Sequence, residues 1–447
     1  MATNDTFYGK TNIFVIKSLE VLEEIKDREG IPPDPLQEEF SIKEGSTGGM
    51  TTTSEFIQEL DCSYFISKNW EKIKLLPEYE ECRKYMYENK TINKHLDKLL
   101  VNVNFGTPIG VDRCLRGLIL KIISESGSLK FNGKIFTEYF EKLRYFFTND
   151  KLQFCAFTLL EGFKADIDEI QLDNNLRIFK IPTHKKEELL KNVTSMPFSH
   201  SKMMISLLSG FGIEKIYETD KTIVDELKPP SDIPAEETGR IFDETISALQ
   251  LFKSGSVDYN FIQTEALDWN PIVEKFIHSK TLTPPLFFVE YHLEKNEVSD
   301  FKEFFKKLEH KPDFLGIPLR YFNYAHTRER PEDKLIDYMI AFESLFLGKG
   351  EMAELSYRLS LRVAAFLGRN QKEKGRIFTL MRETYKSRSE IVHGLNYKNI
   401  IINGEKLSIE ELVSKVEELL RKSIKKSIET GQKSDQILEK SPESIFV

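Results

Sequence analysis

Asp333-Lys334-Leu335-Ile336-Asp337-Tyr338-Met339-Ile340-Ala341-Phe342-Glu343-Ser344-Leu345-Phe346 decides how the C-terminal part of this chain folds. Apolar residues recur there at three- and four-residue steps, which predicts an α-helix from Glu332 to Leu347. Ile336, Ile340, Glu343 and Leu347 fall on one stripe, so a carboxylate interrupts an apolar face. The next expected helix, Glu351 to Leu367, carries Leu355, Leu359, Arg362 and Phe366 on a stripe of its own, interrupted by Arg362. An isolated buried charge costs several kcal/mol, so each needs an opposite charge and hydrogen bonds. Two readings stay open: Glu343 pairs with Arg362 inside a bundle, or Glu343 orients an active-site arginine or histidine.

Working outward, further helices are expected ahead of Arg328, from Lys372 to Val392 and from Ser408 to Thr430, with Gly348, Gly368 and Gly394 standing where three of them should stop. Short connections favour an antiparallel helical bundle. In the Lys372–Val392 helix Ile377, Met381, Thr384, Arg388 and Ile391 share a stripe, which turns Arg388 toward packed or interfacial surface. His393 follows five residues later, about 140° round an ideal helix, so the two side chains do not stack on one face. Convergence needs a distorted helix end or a partner chain. Gly394 permits the first, and the helix C-terminus favours a protonated imidazole. An arginine holds a phosphate and a histidine moves protons near neutral pH, a pairing suited to cutting RNA through its own 2′-hydroxyl without a metal. A capping or core histidine is the plainer account of the spacing by itself.

Upstream, Gly30 to Pro35 and Gly45 to Thr53 read as loops. Gly9-Lys10-Thr11 is not a phosphate loop, because Asn4 stands where its first glycine is required. Tyr64 to Asn149 reads mainly as helix. From Leu152 the runs around Phe154, Phe157 and Leu159, then Leu176, Ile178 and Ile181, read as strands of a small sheet. Leu227 to Pro234 is a connecting loop before a helix from Glu236 to Phe252. The expected fold class is therefore mainly α with a smaller α+β part. Its divisions are a mostly helical region 1–150, a mixed α/β region 151–310 suited to sensing or regulation, a helical domain 311–430 and a polar tail 431–447.

The 447 residues, 40% hydrophobic and 30% charged, suit a folded protein of two or three domains and exclude disorder as the main state. The 33 phenylalanines predict aromatic-rich cores. No apolar run reaches the roughly 20 residues of a membrane helix, and no signal segment opens the chain, so a cytoplasmic protein without membrane partners is expected. Cys62, Cys82, Cys114 and Cys155 show neither disulfide nor zinc spacing, and no histidine lies in a zinc motif. No metal and no cofactor is expected. The net charge of −8 argues against a broadly basic nucleic-acid coat. Residues 311–447 hold 24 Lys+Arg against 20 Asp+Glu, or +4, while 1–310 hold 39 against 51, or −12, so any nucleic-acid contact belongs more naturally to the C-terminal part, although a solvated helical surface explains so modest a difference without RNA.

The order of these features resembles a known family. Asp333 to Phe346 is similar to the first signature helix of HEPN domains of the Apea-like group, Glu351 to Leu367 to the second, and Tyr385-Lys386-Ser387-Arg388-Ser389-Glu390-Ile391-Val392-His393-Gly394 to the group's form of the Rx4–6H motif. Leu319 to Asn323, with Arg328 after it, resembles the segment leading into the domain. The resemblance covers about 120 residues, weakening over residues 1–310. It implies a dimerising helical bundle and a metal-independent endoribonuclease of antiviral defence or toxin type. In that reading His393 is the acid/base, Arg388 stabilises charge on the phosphate, and Ser389, where many relatives have asparagine, holds or orients it. Glu343 is a supporting residue. The implied partners are RNA, tRNA being one form, a second copy of the chain, and a phage-derived trigger or an antitoxin. Tyr385 and Tyr397 are the residues a modifying partner would reach. The alternative is a non-catalytic HEPN module used for dimerisation or partner binding.

Overall fold

The structure, a computed structural model, describes residues 6–30, 37–44, 50–57, 62–100, 107–186, 210–221, 223–224, 234–259, 261–272, 275–279, 290–348, 354–394, 400–402 and 404–431. Over these the chain is mainly helical with a smaller α+β part. None of the described helices is long and apolar enough to cross a membrane. The chain forms two compact units. One gathers residues 1–159, 173–240 and 261–279, and the other residues 160–172, 241–260 and 280–447.

The first unit opens with α1 (Thr6–Glu29) and a hairpin of β1 (Gln37–Glu44) and β2 (Met50–Ile57). Met50 to Thr53, expected in a loop, thus belong to a strand, in register with Glu44 to Ser41. The three threonines there are β-branched and suit an extended ladder. Of the expected loop at Gly30–Pro35 only Gly30 is described, and its N–H closes α1 on the Lys26 carbonyl at 2.8 Å. There follow α2 (Cys62–Ile73), α3 (Pro77–Glu88), α4 (Lys90–Asn93), short β3 (Leu99–Leu100) and β4 (Thr107–Pro108), α5 (Val111–Ser126) and α6 (Gly133–Thr148). Their apolar faces close on an aromatic core of Phe14, Phe136, Phe140, Phe146 and Phe147. Tyr8 packs edge-on to Phe140 at 5.1 Å. The four cysteines are free and buried.

The sheet is centred on β5 (Lys151–Leu159), buried on both faces from Phe154 onward. It pairs antiparallel with β9 (Phe211–Asp220) on one side and β11 (Phe261–Ala266) on the other. Beyond these lie β8 (Leu176–Lys180) and β12 (Lys275–Ser279), and β10 (Ile223–Val224) pairs with β3. Of the Leu227–Pro234 segment only Pro234 is described, and it starts a helix.

In the second unit β6 (Phe163–Ala165) pairs parallel with β13 (Tyr291–Leu293), and β7 (Glu169–Asp173) begins there. Most of α7 (Pro234–Phe252) and all of α8 (Val298–Glu309) belong to it. After them come α9 (Gly316–Thr327), α10 (Pro331–Phe346), α11 (Leu355–Leu367), α12 (Gln371–Val392), a hairpin of β14 (Ile400–Ile402) and β15 (Glu405–Leu407), and α13 (Ile409–Thr430). Helices α9 and α10, and α11 and α12, are neighbours across three-residue connections. The core side of α10 is Leu335, Tyr338, Met339, Phe342, Leu345 and Phe346. Ile336, Ile340, Glu343 and Leu347, the stripe expected to face the core, are only half-buried flank. Its aromatic neighbours pull the helix round, because Phe322, Phe342, Phe346 and Phe366 bury more surface than two isoleucines would.

Cations on α13 tie the helix ends together. Arg421 Nε donates to the Gln250 carbonyl at 2.8 Å and Lys425 Nζ to the Phe252 carbonyl at 3.0 Å, at the end of α7. Lys426 Nζ reaches the Phe366 carbonyl at the end of α11. These carbonyls have no partner further along their own helices, and positive charge there opposes the helix dipole.

Candidate functional site

Helix α12 starts on Asn370, whose side chain accepts from the Glu373 N–H at 3.0 Å. Only Ile377, Met381, Thr384 and Ser387 are buried along its 22 residues. Its packed face thus narrows from large apolar side chains to small hydroxyls toward the C-terminus. The Thr384 hydroxyl is spent on the Leu380 carbonyl at 2.7 Å. That narrowing leaves room for Arg388, one turn further on and half-buried.

Arg388 Nε is buried and meets no acceptor among the described residues. Its charge neighbour is Glu343 on α10. Burial raises the Glu343 carboxyl above its usual range, against the opposing pull of Arg388. The Tyr385 hydroxyl is raised by burial and by Glu343, and lowered by Arg388. Glu343, Tyr385 and Arg388 are therefore one electrostatic group, although no direct ion pair joins Glu343 to Arg388. Arg362 does not pair with Glu343. Its Nη1 donates to the Phe346 carbonyl at 2.8 Å, where it caps α10.

His393 stands apart. It is the C-cap of α12, exposed, with its N–H on the Ser389 carbonyl at 3.1 Å. Gly394 follows at φ +69°, a left-handed conformation that ends the helix there. Ser389 is half-buried between the two environments. Arg388 thus faces packed surface and His393 faces solvent. Tyr397 lies outside the described residues.

A second polar cluster in the same unit was not legible from the motifs. His326 Nδ1 bonds the Phe322 carbonyl at 2.8 Å, and its Nε2 faces the Glu417 carboxylate at 3.5 Å. Glu417 also receives Arg421 Nη2, while Arg421 Nη1 reaches Glu418 at 2.6 Å. Burial pushes the Glu417 carboxyl up, but His326, Arg421 and Tyr338 outweigh it and bring it down to about 2. His326, Tyr338 and Glu417 line a cavity of about 310 Å³ bordered also by Lys334, Glu410 and Asp258. Its one sequence signal is the Glu417/Arg421 spacing of four on an otherwise amphipathic helix. His326 gives no periodic sign.

Among the described residues no group of three or more His, Cys, Asp or Glu side chains is gathered as metal ligands would be. No family model, curated protein or solved structure matches the chain.

Proposed function

We propose that this chain is a cytoplasmic HEPN-type endoribonuclease of antiviral defence or growth arrest, cutting RNA with no metal at the end of α12. What carries the reading is the contrast at that end: Arg388 half-buried beside Glu343 with Nε unspent, and His393 exposed at the cap five residues later. A guanidinium with an unused donor suits a phosphate oxygen, and an exposed imidazole suits proton transfer. His393 takes the proton from the 2′-hydroxyl, the 2′-oxygen attacks phosphorus, and the 5′-oxygen leaves with a proton. The products are a 2′,3′-cyclic phosphate and a 5′-hydroxyl. Arg388 offsets the charge that builds on the phosphate, and Ser389 orients it. One His393 cannot stand on both sides of the phosphorus, so a homodimer placing two copies at one cleft completes the chemistry.

A second reading has its own observation. A buried Nε is also what a packing arginine shows, and a non-catalytic HEPN module that dimerises or binds a partner would keep Arg388 for that. Expression of the unsubstituted chain beside Arg388→Ala and His393→Ala, at matched soluble protein, separates the two. Growth arrest with RNA cleavage that each substitution lowers by about 10²- to 10⁴-fold supports the nuclease. Intact RNA under phage challenge sinks it.

A further inference from the structure

Helix α9 carries a face that no described residue of the bundle covers. Pro318, Leu319, Phe322 and Ala325 are buried on one side. On the other, Ile317 and Tyr324 are each 47% exposed, with Arg320 exposed and Tyr321 half-buried between them. These four lie at three- and four-residue steps, so they form one stripe. The Arg320 guanidinium carbon is 5.7 Å from the centre of the Tyr321 ring, and the Tyr321 and Tyr324 rings stand edge to face at 5.8 Å. No carboxylate occurs in the helix. Just past it come Arg328 and Arg330, both exposed, with Glu329 the one exposed acid between them. Arg328 spends Nε on Asp337 at 2.8 Å while its side chain stays 48% exposed.

We propose that this Ile317–Arg320–Tyr321–Tyr324 stripe, continued by Arg328 and Arg330, docks single-stranded RNA. Exposed rings give unpaired bases a platform whatever their sequence, and flanking guanidinium groups meet the phosphates. Arg328 is shared with Asp337, and the exposed acids nearby are Asp313, Glu329 and Asp333, so contact with an anionic chain falls to the Arg320 and Arg330 guanidinium groups beside the rings, which make no ion pair among the described residues. A duplex hides the faces of its bases, so the stripe discriminates against double-stranded RNA. The inference rests on the RNA-cleaving reading for its biological sense, but its site is separate from Arg388 and His393.

The test uses the full chain carrying His393→Ala, so that the probe is not cut, and a fluorescein-labelled 12-nucleotide adenine RNA followed by anisotropy in EDTA. Tyr324→Ala is expected to weaken binding about tenfold, with Tyr324→Phe restoring most of it. Arg320→Glu weakens binding further and lowers the salt slope by about one. Tyr145→Ala, an exposed tyrosine of α6, leaves it unchanged. Cleavage by the chain with His393 intact is measured in parallel. If RNA is cut yet Tyr324→Ala and Arg320→Glu bind like the parent, the docking face is wrong and the nuclease stands. If RNA is neither bound nor cut, both fall. Equal binding of duplex RNA overturns the stacking surface. So does displacement of the probe by a glutamate-rich peptide at equal concentration, which makes the occupant an acidic protein.

Discussion

Glu343 is the residue whose chemistry is hardest to explain by packing alone. Burial raises its carboxyl above the ordinary 4.5, even with Arg388 nearby, so the fold disfavours the charged form. A folded value above the unfolded one means that stability is lost as pH rises from 4.5 through the raised value. Replacing the carboxylate with a neutral amide should therefore relieve the fold. Glu343→Gln is expected to stabilise the fold slightly at pH 7, by about 1 kcal/mol or less, with the difference gone at pH 4. The same variant is expected to lose RNA cleavage, because Arg388 loses the charge that orients it. Melting curves at the two pH values, beside a cleavage assay, check both halves. A stable and fully active variant would leave Glu343 without a role. A residue that costs stability where it stands is better explained by function than by the core.

At the scale of the element, helix ends matter more than helix bodies. Gly394 holds φ +69°, and an added Cβ would meet nothing within 4 Å, so Gly394→Ala is strained only through its backbone. The expected cost is about 1 kcal/mol, smaller for Gly394→Asn, with unfolding measured in urea. Cleavage should fall in the same order, since the cap sets where His393 stands. If Gly394→Ala costs nothing, the left-handed cap is not what ends α12. These ends were also the most legible part of the chain. Gly394, Gly368 and the Ser408 cap mark boundaries that the structure places within a residue or so of expectation. The face of α10 was misjudged, because periodicity weighs every apolar residue alike whereas packing favours Phe342 and Phe346 over Ile336 and Ile340. The Met50–Thr53 strand was hidden by neighbouring glycines. The partner of Arg362 was illegible in principle, since a backbone carbonyl leaves no mark in sequence. Of the site, Arg388, Glu343 and Tyr385 were named beforehand, and the helical offset of about 140° already set His393 apart from Arg388, but that Glu343 neighbours Arg388 rather than Arg362 needed three dimensions.

For the whole molecule, acid should act on the two units at different pH, because among the described residues each holds a group strongly shifted within the acid range. In the first unit His95 is 2% exposed, and burial, helped by Lys221 and Lys94, brings its imidazole down to about 4. The unfolded chain binds that proton near 6.5, so stability is full above 6.5 and drains away as pH falls toward 4. In the second unit Glu417, held at about 2 by His326, Arg421 and Tyr338, contributes stability present above 4.5 and lost only as pH falls toward 2. Each amounts to something on the order of 3 kcal/mol. Both tryptophans, Trp70 and Trp269, belong to the first unit, so their fluorescence reports that unit alone, whereas far-ultraviolet circular dichroism reports the helices of both. Urea titrations at pH 7, 5.5 and 4.5 are expected to show the fluorescence midpoint dropping while part of the dichroism signal holds its midpoint, that part giving way only below 4.5. His95→Gln should flatten the fluorescence response between pH 6.5 and 4 and leave the later loss in place, and Glu417→Gln should do the reverse. Midpoints that move together between pH 6.5 and 4.5 would mean that His95 destabilises the whole chain as one cooperative body, and the assignment of separate acid responses would fail.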